Sequence, residues 1–201
     1  MGGPGQSDIA AAPSRIALET DRLRLEPVET SHAPGLHEAV VSSRPELLPW
    51  MPWARDPTRE ASLALTQRDE RLWAEDRVFH FALVEKVSNL ALGVAGLNRE
   101  GTTGLELHYW IRTDHAGRGL TTEAGRALVA WARDELRAHR LSLWAGSENH
   151  ASRRVAEKLG FVHVGPLDWR PEGGLGDFAA ERYELSLSSS DASSPARSSC
   201  P

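Results

Sequence analysis

Apolar and polar residues follow two periods along this chain, one of two residues and one close to three and a half. Arg22 to Val28, RLRLEPV, alternates leucine with charge and predicts a half-buried strand. Ser31 to Ser43 predicts a helix, with Pro34 and Gly35 confining its regular part to their C-terminal side. In LLPWMPW, Leu47 to Trp53, two prolines and two tryptophans exclude an ordinary helix. Thr58 to Asp76 returns to the helical period, with Leu65, Leu72 and Trp73 among its apolar positions.

Three strand-like runs follow: Val78 to Glu85, Leu90 to Asn98 and Leu105 to Ile111, the first two joined by a short VSN turn. After the third comes DHAGRGLTTEA, then a helical stripe of Leu120, Ala124, Ala127, Leu128, Trp131 and Leu136. RLSLWAG predicts a strand, and Asn149 to Leu159 a helix capped by Asn149. Gly160 suits a left-handed residue past that helix, from which Phe161 folds back on Val155 and Ala156. FVHVGPL and AAERYELSL complete the pattern. The order β-α-α-β-β-β-α-β-α-β-β is that of an α/β domain with a mixed sheet.

Size and composition narrow the possibilities. The 201 residues suffice for one domain with a proper core. We place it at residues 15–187, between tails at 1–14 and 188–201 that are too poor in apolar residues to offset the entropy of ordering. The formal net charge of -5 argues against a nucleic-acid-coating surface. A single cysteine, Cys200, cannot staple the fold or build a cysteine metal site, and a reducing compartment follows. No stretch has the length of a signal-peptide core or a membrane span, and Gln6 weakens a myristoylation reading of the Met-Gly start. The expectation is a cytoplasmic protein without a metal.

The glycine loop carries the first candidate chemistry. A helix N-terminus leaves N–H groups unpaired and bears a partial positive charge, so it attracts phosphate. Gly117 and Gly119 would let phosphate approach the backbone, and Arg118 could add a charge-assisted bond. A plain strand-to-helix turn explains the same residues. The loop has no lysine for a Walker motif. It also lacks the third glycine of a dinucleotide fingerprint, and the next strand ends in Ala145 and Gly146 rather than an acid.

Ala116-Gly117-Arg118-Gly119-Leu120-Thr121, followed by Thr122-Glu123-Ala124, resembles the pyrophosphate loop of the GNAT superfamily of N-acetyltransferases. Asn149-His150-Ala151-Ser152, running on to Glu157-Lys158-Leu159-Gly160-Phe161, resembles the second coenzyme A motif of its RimJ/RimL branch, which acetylates ribosomal-protein N-termini. Arg22-Leu23-Arg24-Leu25 and Pro49-Trp50-Met51-Pro52-Trp53 are similar to that branch as well. The resemblance implies the GNAT fold: a mixed, mostly antiparallel sheet flanked by helices, with two central strands splayed apart. It also implies acetyl-CoA as co-substrate, with its pyrophosphate on the loop and its pantetheine between the splayed strands. Ile111, Arg112, Gly117, Arg118, Gly119, Leu120, Thr121, Thr122, Asn149 and Ser152 are the residues placed at the coenzyme. The family often forms dimers, so a homodimer is a further expectation.

Three positions depart from the pattern. Ala116 replaces the more usual Gln or Arg, and Thr121 the usual small residue, yet backbone N–H groups carry the phosphate contact. Ala156 stands where the family often has a tyrosine general acid. His108 stands where the branch often has glycine.

Amine attack on a thioester needs a neutral amine, a donor for the developing oxyanion and a proton for the leaving thiolate. Period two puts Glu106, His108 and Trp110 on one face of their strand and Leu105, Leu107, Tyr109 and Ile111 on the other. Glu106 is the candidate base, against the alternative of a glutamate on an exposed strand edge. His108 is a candidate to share proton handling or a structural histidine, and Ser152 a candidate to protonate the thiolate or to help cap its helix. Asn149 offers one side chain for two tasks, cap or pantetheine contact. Trp50, Trp53 and Trp110 are candidates for an acceptor wall, and Trp73 and Trp131 for the core, among seven tryptophans.

An α-amine near pKa ~8 costs about 1.4 kcal/mol to deprotonate at neutral pH, whereas a lysine near ~10.4 costs roughly 4.6. One carboxylate suits the first better. The acceptor is left open among a peptide N-terminus, an aminoacyl conjugate, a polyamine and an amine antibiotic. An acyl-CoA sensor without catalysis is the alternative of another class.

Overall fold

The alternating strands and amphipathic helices assemble around one sheet in the computed structural model, which describes residues 15–101, 104–167 and 179–187. The segments read as tails, 1–14 and 188–201, lie outside the described residues, and so does Cys200. Among the described residues the strands are β1 (Leu18–Glu19), β2 (Leu23–Pro27), β3 (Val78–Glu85), β4 (Ala91–Glu100), β5 (Gly104–Ile111), β6 (Arg140–Gly146), β7 (Val162–Pro166) and β8 (Ala180–Ser186). They lie in the order β1-β2-β3-β4-β5-β6-β8-β7. Every neighbouring pair is antiparallel except β5 and β6.

That exception shapes the molecule. The parallel pair is held only at Leu105↔Leu141 and Glu106↔Ser142, after which the strands part. β4 and β5, by contrast, stay paired from Glu100↔Gly104 to Gly93↔Ile111. The sheet therefore opens into a cleft beyond Glu106, which is the splay the sequence resemblance implied.

Among the described residues, four α-helices cover the sheet. α1 (Ala33–Leu47) packs on β4 and α2 (Arg59–Ala74) on β3, while α3 (Leu120–Asp134) touches β4, β5 and β2, and α4 (His150–Lys158) rests on β6. α1 starts earlier than its sequence suggests. Pro34 sits in its first turn, where a missing N–H costs no intrahelical bond, and the helix runs on through Pro45 to Leu47. The tryptophan-proline box becomes a 3-10 turn at Pro52–Arg55.

The core divides at the sheet. Leu23, Phe79, Phe81, Leu107, Leu128 and Trp131 belong to the larger cluster. Val28, Leu36, Val40, Val94 and Trp110 belong to the smaller one beside α1. Trp73 and Trp131 are core residues, as their helical stripes predict, and their rings meet Phe79 and Phe81 with centroids 5.1–5.5 Å apart. Each such edge contact adds about 1 kcal/mol beyond area burial. Leu65 differs: it lies on α2 but is 42% exposed. No helix among the described residues is long and apolar enough to cross a membrane.

Candidate active site

The cleft where β5 and β6 part has a volume of about 400 Å³ and runs from Glu106 to the start of α3. At the α3 end the chain turns through Gly117 (φ 73°) and Gly119 (φ 79°), a left-handed backbone that costs glycine little. Gly119 is the N-cap residue and has no side chain to accept from the first-turn amides. α2 and α4 are finished differently, by Thr58 accepting from Ala61 N and Asn149 accepting from Ser152 N. The first turn of α3 is thus open to an anion, and Gly117, Gly119, Leu120, Thr121 and Thr122 all line the cleft.

The early RLRL segment braces this loop. Arg22 Nη1 donates to the carbonyl of Arg118 at 2.9 Å, and its Nη2 pairs with Glu123 at 2.6 Å. Thr20 donates to the same carboxylate at 2.6 Å. Burial works against ionisation of Glu123, but the bonds from Thr20 and Arg22 prevail and hold its carboxyl below the usual range.

Two of the coenzyme candidates turn away from the cleft. Arg118 reaches Glu85 at 3.2 Å, and Arg112 forms a two-point pair with Asp114 at 3.1 and 2.8 Å. Neither lines the cleft, whereas Ile111 does. An arginine in a glycine loop has backbone and side chain facing different ways, and spacing alone does not say which faces the ligand. Sequence reasoning also passed over Arg154 and Lys158, which lie one helical turn apart on α4 and line the cleft.

At the other end, Glu106 is partly buried at the last paired position before the strands separate. Burial pushes its carboxyl from 4.5 up to about 7, and the neighbouring charge of Glu100 adds to the rise. A hydrogen bond from Trp144 and the charges of His80 and Arg182 oppose it. Ser142 holds Glu100 in place by donating to its Oε2 at 2.8 Å. A carboxyl half ionised near pH 7 can take a proton from an α-amine with little penalty.

His108 follows on the same strand face. Burial, with His80 close by, pushes its ring well below the ordinary imidazole range, so it is neutral. Its ring meets that of His80 edge-on at 4.3 Å, and its Nε2 is sealed from solvent without a hydrogen-bond partner. His80 is itself fixed between Asp69 Oδ2 and Asn98 Oδ1, each at 2.8 Å.

Ser152 lies in the first turn of α4 and lines the cleft, with its backbone N–H bonded to Asn149 Oδ1 at 3.0 Å. The acceptor oxygen of Asn149 therefore serves the cap. Ser152 Oγ lies 3.0 Å from the hydroxyl of Tyr109, which donates to the Ser152 carbonyl at 3.1 Å. Burial pushes the Tyr109 phenol up to about 12, so it stays protonated. The position of the absent family tyrosine, Ala156, is fully buried in the core. Sequence reasoning missed Tyr109 because its neighbours on that face are apolar. The available signal was a hydroxyl on an apolar face, which must find a partner when buried.

The three candidate wall tryptophans do not line one surface. Trp50 lines the cleft, Trp53 a second cavity beside it and Trp110 both, with the rings of Trp53 and Trp110 5.7 Å apart. Trp110, Met51 and His108 border both spaces. No group of three or more His, Cys, Asp or Glu among the described residues is placed to hold a metal ion.

Comparison with known proteins gives this geometry a lineage. A family model for the acetyltransferase (GNAT) domain matches residues 22–162. Two Bacillus subtilis proteins are similar over shorter stretches. The ribosomal N-acetyltransferase-like YdaF is 38% identical over 60 residues, 30% of this chain and 33% of that protein. The N-acetyltransferase-like YjcK is 32% identical over 104 residues, 50% of this chain and 57% of that protein. The alignments thus span less than two thirds of either relative. Among solved structures, a RimL ribosomal L7/L12 alpha-N-protein acetyltransferase in complex with coenzyme A aligns with a TM-score of 0.76 at 19% identity, over 86% of this chain and 98% of that one. A ribosomal-protein-S5-alanine acetyltransferase from Vibrio fischeri aligns with a TM-score of 0.73 at 18% identity, over 86% and 97%. At such identities the likeness is one of fold. The family match spans the splayed strands, the glycine loop and the helices on either side of the cleft, and the chain belongs to the acetyltransferase (GNAT) domain family.

Proposed function

We propose that this protein transfers the acetyl group of acetyl-CoA to a primary amine, and that the acceptor is the α-amine of a peptide, protein or aminoacyl conjugate. One observation carries the reading: a single cleft has a helix N-terminus open to phosphate at one end and a carboxyl raised to about 7 at the other.

The residues present fit the coenzyme. The amides of Gly119 to Thr122 would hold its pyrophosphate, and Arg154 and Lys158 would meet its remaining phosphate charge. When bound, acetyl-CoA supplies an acyl thioester. Glu106 takes a proton from the acceptor ammonium, directly or through water, and later releases it to solvent. The neutral amine attacks the thioester carbonyl carbon: a C–N bond forms, the C–S bond breaks and its electron pair leaves on sulfur. The proton that nitrogen then sheds passes to sulfur by way of the Ser152 hydroxyl, which ends as it began. Tyr109 positions that hydroxyl and keeps its own proton throughout. The products are the N-acetylated amine and the free thiol.

The test is thiol release from acetyl-CoA with short peptides as acceptors, in wild type and Glu106→Gln. Acceptor-dependent release that the variant loses, with acetyl-CoA still bound, is the expected result. Release that is unchanged in the variant would remove Glu106 from the mechanism. Acetyl-CoA binding with no release for any amine would favour an acyl-CoA sensor.

A further inference from the structure

The second cavity, about 240 Å³ in volume, is not used by the coenzyme reading. Leu36, Val40, Leu65, Val94, Trp53 and Trp110 give it apolar walls. Trp53 and Leu65 stand at its rim, each 42% exposed, although both are large hydrophobic side chains. Apolar cavities of about 150 Å³ bind benzene, so this one has room for a single ring or a branched aliphatic group.

Its polar groups are few, and most are already engaged. Asp69 is committed to His80 at 2.8 Å and to Arg68 at 3.6 Å. His80 spends both ring nitrogens on Asp69 and Asn98. The cavity therefore offers no spare carboxylate to a second ammonium, which disfavours a polyamine. His108 Nε2 is the exception, a buried polar atom with no partner in the protein.

The position of the cavity fixes what it can recognise. It shares His108, Trp110 and Met51 with the cleft. Glu106 precedes His108 by two residues on the same strand face, a step of about 7 Å. A group seated among Trp53, Trp110 and Leu65 thus borders the strand face that carries Glu106, and its amine approaches that carboxyl past His108, directly or through water.

We propose that this second cavity receives the side chain of the residue that bears the acceptor amine, and that the enzyme accordingly prefers α-amines attached to a bulky apolar side chain, aromatic or branched aliphatic. His108 stands at the junction of the two spaces. As a neutral ring it adds no positive charge against an incoming ammonium. The inference rests on the acetyltransferase reading above and names its substrate class.

The experiment uses the full chain, acetyl-CoA and peptides identical except for the first residue: Ser, Ala, Leu or Phe. Leu- and Phe-first peptides are expected to exceed Ser- and Ala-first ones in kcat/KM by roughly 10- to 100-fold, the worth of burying one such side chain. Leu65→Trp, placed at an exposed rim and so mild toward folding, narrows the cavity. It should lower the ratio of Phe-first to Ala-first kcat/KM at least ~10-fold, with acetyl-CoA binding as the control for folding. A wild-type preference for Ser or Ala, or a ratio that Leu65→Trp leaves unmoved, overturns the assignment and leaves the transferase reading standing. If no peptide releases thiol, the transferase reading fails. The cavity is then judged by titration calorimetry with phenylalaninamide. Binding that Leu65→Trp abolishes supports it, and no binding to wild type overturns it.

Discussion

The two ends of the cleft are built on opposite terms. At the α3 end the groups proposed to face the ligand are backbone amides, left without a side-chain cap because Gly119 stands at the N-cap position. At the Glu106 end the proposed working group is a side chain, raised above its ordinary pKa by burial, with the charge of Glu100 on the adjacent strand adding to the rise. One end is a consequence of a few consecutive residues. The other exists only where β4, β5 and β6 meet. The difference suggests a division of labour, with affinity for the coenzyme set at the loop and turnover set at the base.

Four changes test that division, and the largest effect is expected at the base. Glu106→Gln should lower turnover about 100-fold or more while acetyl-CoA affinity changes little, measured by thiol release and calorimetry. The same residue sets a pH profile. Wild-type kcat/KM should rise with pH and reach half its plateau near pH 7, as Glu106 loses its proton, and Glu106→Gln should abolish that inflection. The linkage runs the other way for stability. A carboxyl raised from 4.5 to about 7 binds its proton more tightly in the folded state, so its contribution is greatest below pH 4.5 and is lost as pH rises to about 7. Urea midpoints of wild type and Glu106→Gln across that window should converge at low pH and separate above it.

The next largest effect belongs to the loop. Gly119→Asp would set a negative charge where phosphate is expected. Aspartate tolerates a positive φ better than most residues, so the helix should persist. Acetyl-CoA affinity should fall roughly 10- to 100-fold in calorimetry. An unchanged affinity would return the loop to a plain turn.

Tyr109→Phe is expected to be milder. It frees the Ser152 hydroxyl without touching Glu106, so kcat should fall roughly 3- to 10-fold with the pH midpoint unmoved. A shifted midpoint would instead tie Tyr109 to the base. Asn149→Ala should have the smallest effect, a loss of about 1 kcal/mol in stability as α4 gives up its cap, read as a lower thermal midpoint. A fall in acetyl-CoA affinity well beyond that would show a second task for the side chain.

The same contrast governs what could be read from sequence. The glycine loop, the Asn149 cap, the left-handed Gly160 and the core tryptophans Trp73 and Trp131 follow from local rules, and each is found where those rules put it. Strand alternation grouped Glu106, His108 and Trp110 correctly, because period two survives whatever packs above it. It could not foresee that Trp50 and Trp53, three residues apart, face different spaces, since a proline-rich 3-10 turn has no period to extrapolate. Nor could it aim Arg118, whose direction depends on Glu85, which lies on β3, far from the loop in sequence.

Sequence by itself determined the order of elements apart from the two-residue β1, the open N-terminus of α3 and the residue types available for acyl transfer, because these depend on covalent neighbours and on helix and strand geometry. The tertiary structure decided the rest. It brought Glu100 and Trp144 to Glu106, Tyr109 to Ser152, and Asp69 and His80 to the wall of a second cavity. These are contacts between residues distant in the chain, and their effects on pKa and on hydroxyl orientation come from burial and from separations of a few ångströms, which only a packed sheet fixes.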